Sequence, residues 1–164
     1  MTPLSADLLT DCLAQLDRTH QDGTITDHSV ATMRTWLTEA RYSEFAEPLA
    51  NLIQRAKSDK DIWKSLDDAY WTVIPFGTGG RRGKMFPVGS NAINDRTIGE
   101  SAQGLAEYVT ETCHAEGEPS CTIAYDTRHR SEHFAKLCSE CAKLCSETTT
   151  GPCSRRSKAR RRMA

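Results

Sequence analysis

Apolar positions in the first 70 residues recur every three to four places and stop at turn signals. Leu8, Leu9, Cys12, Leu13 and Leu16 fall on one side of a helix over residues 6–17, and the pattern ends near the turn dipeptide Asp22–Gly23. A second helix is predicted to open after Asp27, with Val30, Met33 and Leu37 on one face. A third carries Phe45, Leu49, Leu52, Ile53 and Ala56, and Ile62, Trp63, Leu66 and Tyr70 continue the theme. Trp36, Trp63 and Trp71 read as core anchors of this helical region, with stacking of Tyr70–Trp71 on a sugar the less favoured alternative.

The pattern changes at Trp71. "WTVIPF" (71–76) is β-branched and aromatic, and its proline suits an edge or a strand end. A glycine-rich loop follows. Thr97–Cys113 then shows Ile98, Leu105, Tyr108 and Val109 at helical spacing, and "CTIAY" (121–125) reads as a short strand after the turn-like "EGEPS". Last comes a helix with a stripe of Phe134, Leu137, Cys138, Cys141, Leu144 and Cys145. Strand, helix, strand, helix predicts an α/β fold class.

Length and composition set bounds on function. The 164 residues fit one ordinary domain, and 38% hydrophobic with 26% charged residues is a globular balance. No apolar stretch approaches the roughly 20 residues that span a bilayer, and the first residues lack a basic segment ahead of an apolar one. The expectation is a cytoplasmic protein with no membrane partner. Seven cysteines, an odd number, argue for reduced thiols rather than a disulfide framework.

The net charge of −1 hides an asymmetry. Residues 148–164 hold six of the 21 basic residues and none of the 22 acidic ones, which leaves the first 147 residues at −7. Just before this tail, "FAKLCSE" (134–140) is repeated as "CAKLCSE" (141–147) with one difference. A short tandem duplication followed by a shifted reading frame explains both features. The rival reading is a basic arm that binds nucleic acid through counterion release; the tail has no interleaved aromatics, so nucleic acid is not the expected partner. Cys138, Cys141 and Cys145, with His133 and Cys153 nearby, loosely meet thiolate metal spacing. They also share the apolar stripe of their helix, where a free cysteine acts as a small hydrophobe; no metal site is expected.

The candidate chemistry lies in "FGTGGRRGKMFPVGSNAIN" (76–94), which contains five of the ten glycines and two adjacent arginines. Glycine permits positive φ and close backbone approach, and successive amides in such a loop form an anion-binding concavity. Arginine adds a planar fork that fits phosphate. A nucleotide P-loop does not fit, because Met85 stands where that motif needs a hydroxyl after its lysine. A plain glycine hairpin between strands remains the competing reading.

Four blocks in order, "FGTGGRRG" (76–83), "GSNAIN" (89–94), "SAQGLAEYV" (101–109) and "IAYDTRHRSEHFA" (123–135), resemble the opening of an α-D-phosphohexomutase, in the phosphoglucomutase branch that includes phosphopentomutases. The resemblance covers about residues 60–140. It implies a helical lead-in over 1–70, part of an α/β/α domain I with a mixed sheet over 71–147, and a basic tail over 148–164. It also implies relatives that move a phosphoryl group on a sugar phosphate through a phosphoserine, with Mg2+ held by aspartates in a later domain. Carried over by position, Thr78, Gly80 and Arg82 match the family's phosphate-facing loop, and Asp126 and Arg128 match the D-x-R that ends the next strand. Arg81 departs from the family's usual leucine.

Asp126 and Arg128 equally suit a loop tie, with Ser131 capping the following helix. The family's T-A-S-H-N-P serine segment and D-G-D-x-D-R metal loop are not in these 164 residues. The resemblance therefore implies a truncated, inactive phosphohexomutase with no catalytic residue and no cofactor of its own. The alternative is a small protein that binds anions or nucleic acid.

Overall fold

The first two helices open at residues whose side chains satisfy free backbone amides. Ser5 accepts from the Leu8 amide at 3.3 Å and opens α1 (Ala6–Gln21). Thr26 accepts from the Ser29 amide at 3.4 Å and opens α2 (Asp27–Thr38). Such caps relieve the unpaired N–H groups of a first turn. A 3-10 turn, Ala40–Tyr42, leads into α3 (Ser43–Ala56), and α4 (Asp61–Tyr70) follows. The structure, a computed structural model, describes residues 4–112 and 121–148. The basic tail and the "EGEPS" turn fall outside the described residues, as does Cys153.

The chain divides into two units, the first reaching Asn94 and the second beginning at Asp95. The first unit holds the core. Cys12 and Leu16 of α1, Met33 and Trp36 of α2, Leu49 and Ile53 of α3, and Leu66 and Tyr70 of α4 are fully or almost fully buried together. Tyr42 stacks on Trp36 at 4.9 Å between centroids, and Tyr70 meets the same indole edge-on at 5.1 Å. Polar contacts close the helix ends. Asp67 of α4 accepts from the Thr26 amide at 2.8 Å and its hydroxyl at 2.9 Å, which ties α4 to the start of α2. Asp11 accepts from Lys57 at 2.6 Å, and this cation together with Gln54 holds its carboxyl below the ordinary range. Arg34 and Asp17 pair between α2 and α1.

After α4 the chain makes a small hairpin, β1 (Phe76–Gly77) against β2 (Gly80–Arg81), antiparallel, with Phe76 opposite Arg81 and Gly77 opposite Gly80. Beyond it, Met85 and Ile93 form an isolated parallel bridge. The predicted strand over 71–76 is therefore reduced to its last residue. Pro75 has no N–H to give a ladder, and the Ile74 amide is already committed to Ser90 O at 2.8 Å.

The "GSNAIN" block explains why α4 ends where it does. The Asn91 amide donates to Ala69 O at 2.8 Å and its side-chain nitrogen to Asp68 O at 2.9 Å. Both carbonyls belong to the last turn of α4, where no intrahelical donor is left. Ser90 Oγ donates to Thr72 O at 2.7 Å, and the buried Asn94 side chain donates to Gly89 O at 2.9 Å. Gly89 is buried at φ 103, so close to α4 that only hydrogen fits in the place of a side chain. Val88 and Ala92 beside it join the helical core.

In the second unit α5 (Asp95–Thr112) packs on α6 (Ser131–Thr148). Asp95, the first residue of α5, accepts from Arg130 at 2.7 Å and pairs with His133 at 3.0 Å. Arg130, at φ 60, also lies over the Phe134 ring. Burial is thinner here: Thr97 is the buried residue of α5, while Leu105 and Tyr108 are exposed. Cys138 and Cys141 are half-buried rather than sealed in a core stripe. Burial pushes the Cys138 thiol up, with the nearby Cys141 and Cys121 adding to it. Cys121–Tyr125, read as a strand, is exposed and joins no ladder among the described residues. A strand needs a neighbour to take its amides and carbonyls.

Candidate functional site

Arg82 and Lys84 follow the hairpin two residues apart, and both line one hollow. From α4, Ser65, Asp68 and Ala69 share one face by their spacing of three and four. These two sets meet around a hollow of about 340 Å³, completed by Trp71, Gly83, Met85, Phe86, Asn91 and Ala92. A volume near 300 Å³ is the lower end for small-molecule sites. Lys84 Nζ lies 3.0 Å from Asp68 Oδ2, both exposed. Two cations against one carboxylate leave the rim electropositive.

Among the sequence-derived candidates, the structure places Arg82 on this hollow. Thr78 occupies the hairpin turn and Gly80, at φ 116, begins β2; neither lines the hollow. Part of the loop's backbone hydrogen bonding goes to the β1–β2 ladder, so the plain-hairpin reading holds for residues 76–81. Asp126 and Arg128 lie in the second unit and bind each other. The Arg128 amide donates to Asp126 Oδ1 at 3.0 Å and its Nε to Oδ2 at 2.8 Å. These bonds, the backbone one foremost, hold the Asp126 carboxyl below its ordinary value. Ser131 Oγ accepts from the Asp126 amide at 3.2 Å, which directs that hydroxyl to the loop.

Two lining residues, Lys84 and Asp68, were not among the candidate site residues, and Trp71 had stacking on a sugar only as the less favoured alternative to the core. Trp71, expected in the core with Trp36 and Trp63, is 55% exposed, whereas those two are 2% and 5% exposed. It stands one residue past the end of α4, beyond the stripe that faces the other helices.

Among the described residues no group of three or more His, Cys, Asp or Glu side chains is arranged to hold a metal ion. No helix among them is long and apolar enough to cross a membrane.

Residues 74–143 match the family model for phosphoglucomutase/phosphomannomutase, alpha/beta/alpha domain I. A phosphoglucomutase of Staphylococcus epidermidis is 41% identical over 66 residues, covering 40% of this chain and 11% of that protein. Those of Staphylococcus haemolyticus and Staphylococcus aureus are 38% and 39% identical over 71 and 70 residues, each covering 43% of this chain and 12% of the relative. No solved structure matches. Residues 74–143 are similar to domain I of the phosphohexomutase superfamily, and the likeness is confined to that domain. The mostly helical fold with its two-stranded sheet is what an incomplete α/β/α domain presents. The aligned part spans about one-ninth of the length of these relatives.

Proposed function

We propose that the hollow beside the glycine hairpin holds the phosphate of a hexose phosphate, and that this 164-residue chain on its own binds the sugar phosphate without moving its phosphoryl group. The reading rests on the pairing of Arg82 and Lys84 on one rim of a concave site within a segment of phosphohexomutase sequence. A guanidinium offers two parallel N–H donors to phosphate, and an ammonium beside it adds a point charge. Thr78 and Gly80 serve by shaping the hairpin that delivers Arg82, and Asp126 and Arg128 by fixing the loop before α6.

Transfer between sugar positions requires a phosphoryl carrier and a charge-neutralising cation. The 164 residues contain neither the T-A-S-H-N-P segment nor the D-G-D-x-D-R loop. Binding without turnover follows.

Calorimetric titration with glucose 1-phosphate tests the binding half. Saturable binding that weakens about 10- to 100-fold in Arg82→Ala is expected, the range for losing a charge-assisted contact. Equal binding by wild type and variant rejects the site. A coupled assay for conversion to glucose 6-phosphate tests the other half, and turnover by the purified chain rejects it.

A further inference from the structure

Trp71 lines the hollow and still exposes more than half of its surface, while the other two tryptophans are sealed in the core. An indole left in water costs hydration free energy that packing recovers for Trp36 and Trp63. Position 71 has no packing duty of that kind. Its backbone closes the end of α4, donating its amide to Asp67 O at 2.9 Å, and this task needs no aromatic side chain. Facing the same space are Arg82 and Lys84, with Asp68, Asn91 and Ser65 as polar neighbours.

We propose that Trp71 is the residue that recognises the sugar ring, its indole face lying against the C–H face of a hexopyranose whose phosphate is held by Arg82 and Lys84. The idea rests on the phosphate reading above and adds a specificity element to it. The π face of an indole is electronegative, and the axial C–H groups on one side of a pyranose are weakly electropositive and apolar. The hydroxyls on the ring's edge meet the Asp68 carboxylate and the Asn91 amide, which accept and exchange hydrogen bonds with polyols. Inorganic phosphate satisfies the cations and leaves the indole uncovered. The site therefore prefers a hexose monophosphate to the bare anion, and Trp71 supplies that preference.

The test compares glucose 1-phosphate with inorganic phosphate as probes of wild type, Trp71→Ala, Trp71→Phe and Arg82→Ala. Wild type is expected to bind glucose 1-phosphate more tightly, and Trp71→Ala to reduce that advantage about 10-fold while binding inorganic phosphate as before. Trp71→Phe retains part of the advantage. A second readout uses the native chain: acrylamide quenching of tryptophan emission, dominated by the exposed Trp71, falls on adding glucose 1-phosphate and not on adding phosphate. Equal weakening of both probes by Trp71→Ala overturns the proposal. So does an unchanged preference in Trp71→Ala while Arg82→Ala loses both ligands; the phosphate site then stands without its sugar platform. Wild type that binds neither probe overturns the phosphate reading, and this proposal with it.

Discussion

Replacing Gly89 with alanine puts a methyl group into the last turn of α4. The added Cβ falls 2.7 Å from Ala69 Cβ and 2.9 Å from its carbonyl carbon, and closer still to the carbonyl oxygen. Carbon atoms prefer about 3.5–4.0 Å. The obstacle is helix backbone, fixed by the Asn91 amide bond to that same carbonyl, so it cannot swing aside as a side chain tip does. The φ of 103 adds a backbone penalty of roughly 1–2 kcal/mol for any residue with a Cβ. Overpacking in a closed space costs about 1–3 kcal/mol more. Gly89→Ala is therefore expected to lose about 3 kcal/mol, a large share of a stability in the range of 5–15 kcal/mol.

Urea unfolding followed by helix ellipticity measures it, with two companion variants that separate the terms. Gly80→Ala has φ 116 but open space around the new methyl, so it isolates the backbone penalty at about 1 kcal/mol. Gly104→Ala lies within α5 with nothing near, and is expected to stabilise that helix by about 0.5–1 kcal/mol. A Gly89→Ala loss below about 0.5 kcal/mol, or one equal to that of Gly80→Ala, refutes the claim that close approach to α4 dictates this glycine.

Three other outcomes follow from the structure. Leu49→Ala removes a fully buried side chain between the helices and is expected to cost about 2–5 kcal/mol in the same unfolding experiment, with a loss under 1 kcal/mol counting against the core assignment. The Asp126 carboxyl, held below 3.8 by its bonds to Arg128, stabilises its loop above the ordinary carboxylate range, and that contribution disappears as pH falls through the lowered value. Carboxyl NMR is expected to show its midpoint rise towards 3.8 in Arg128→Ala, and an unmoved midpoint contradicts the cause. Burial raises the Cys12 thiol, whereas Cys121 is exposed, so iodoacetamide at pH 8 followed by peptide mass spectrometry is expected to mark Cys121 quickly and Cys12 only after denaturation; equal rates argue against a sealed α1–α3 contact.

Much of the fold was legible because helices are local. The stripes through Leu16, Met33, Leu49 and Leu66 are each encoded within a few residues, and the structure buries those stripes together. The strands at 71–76 and 121–125 were overread, because β structure depends on a partner segment that no local pattern reports. The phosphate candidate was legible in part: Arg82 stood out by its company of glycines, whereas Asp68 looked like one more charged position on a helix.

What the sequence determined alone is the set of helices and the phosphohexomutase character of residues 74–143, since both are written in short-range spacing and motif order. Tertiary structure decided what the motifs do. It turned "GSNAIN" into the cap that finishes α4, spent residues 76–81 on a hairpin, and set Trp71 outside the core beside Arg82. The physical reason is that a carbonyl left unpaired at a helix end and a ring left in water are satisfied by groups 20 residues away or by none, and chain folding alone brings those groups within reach.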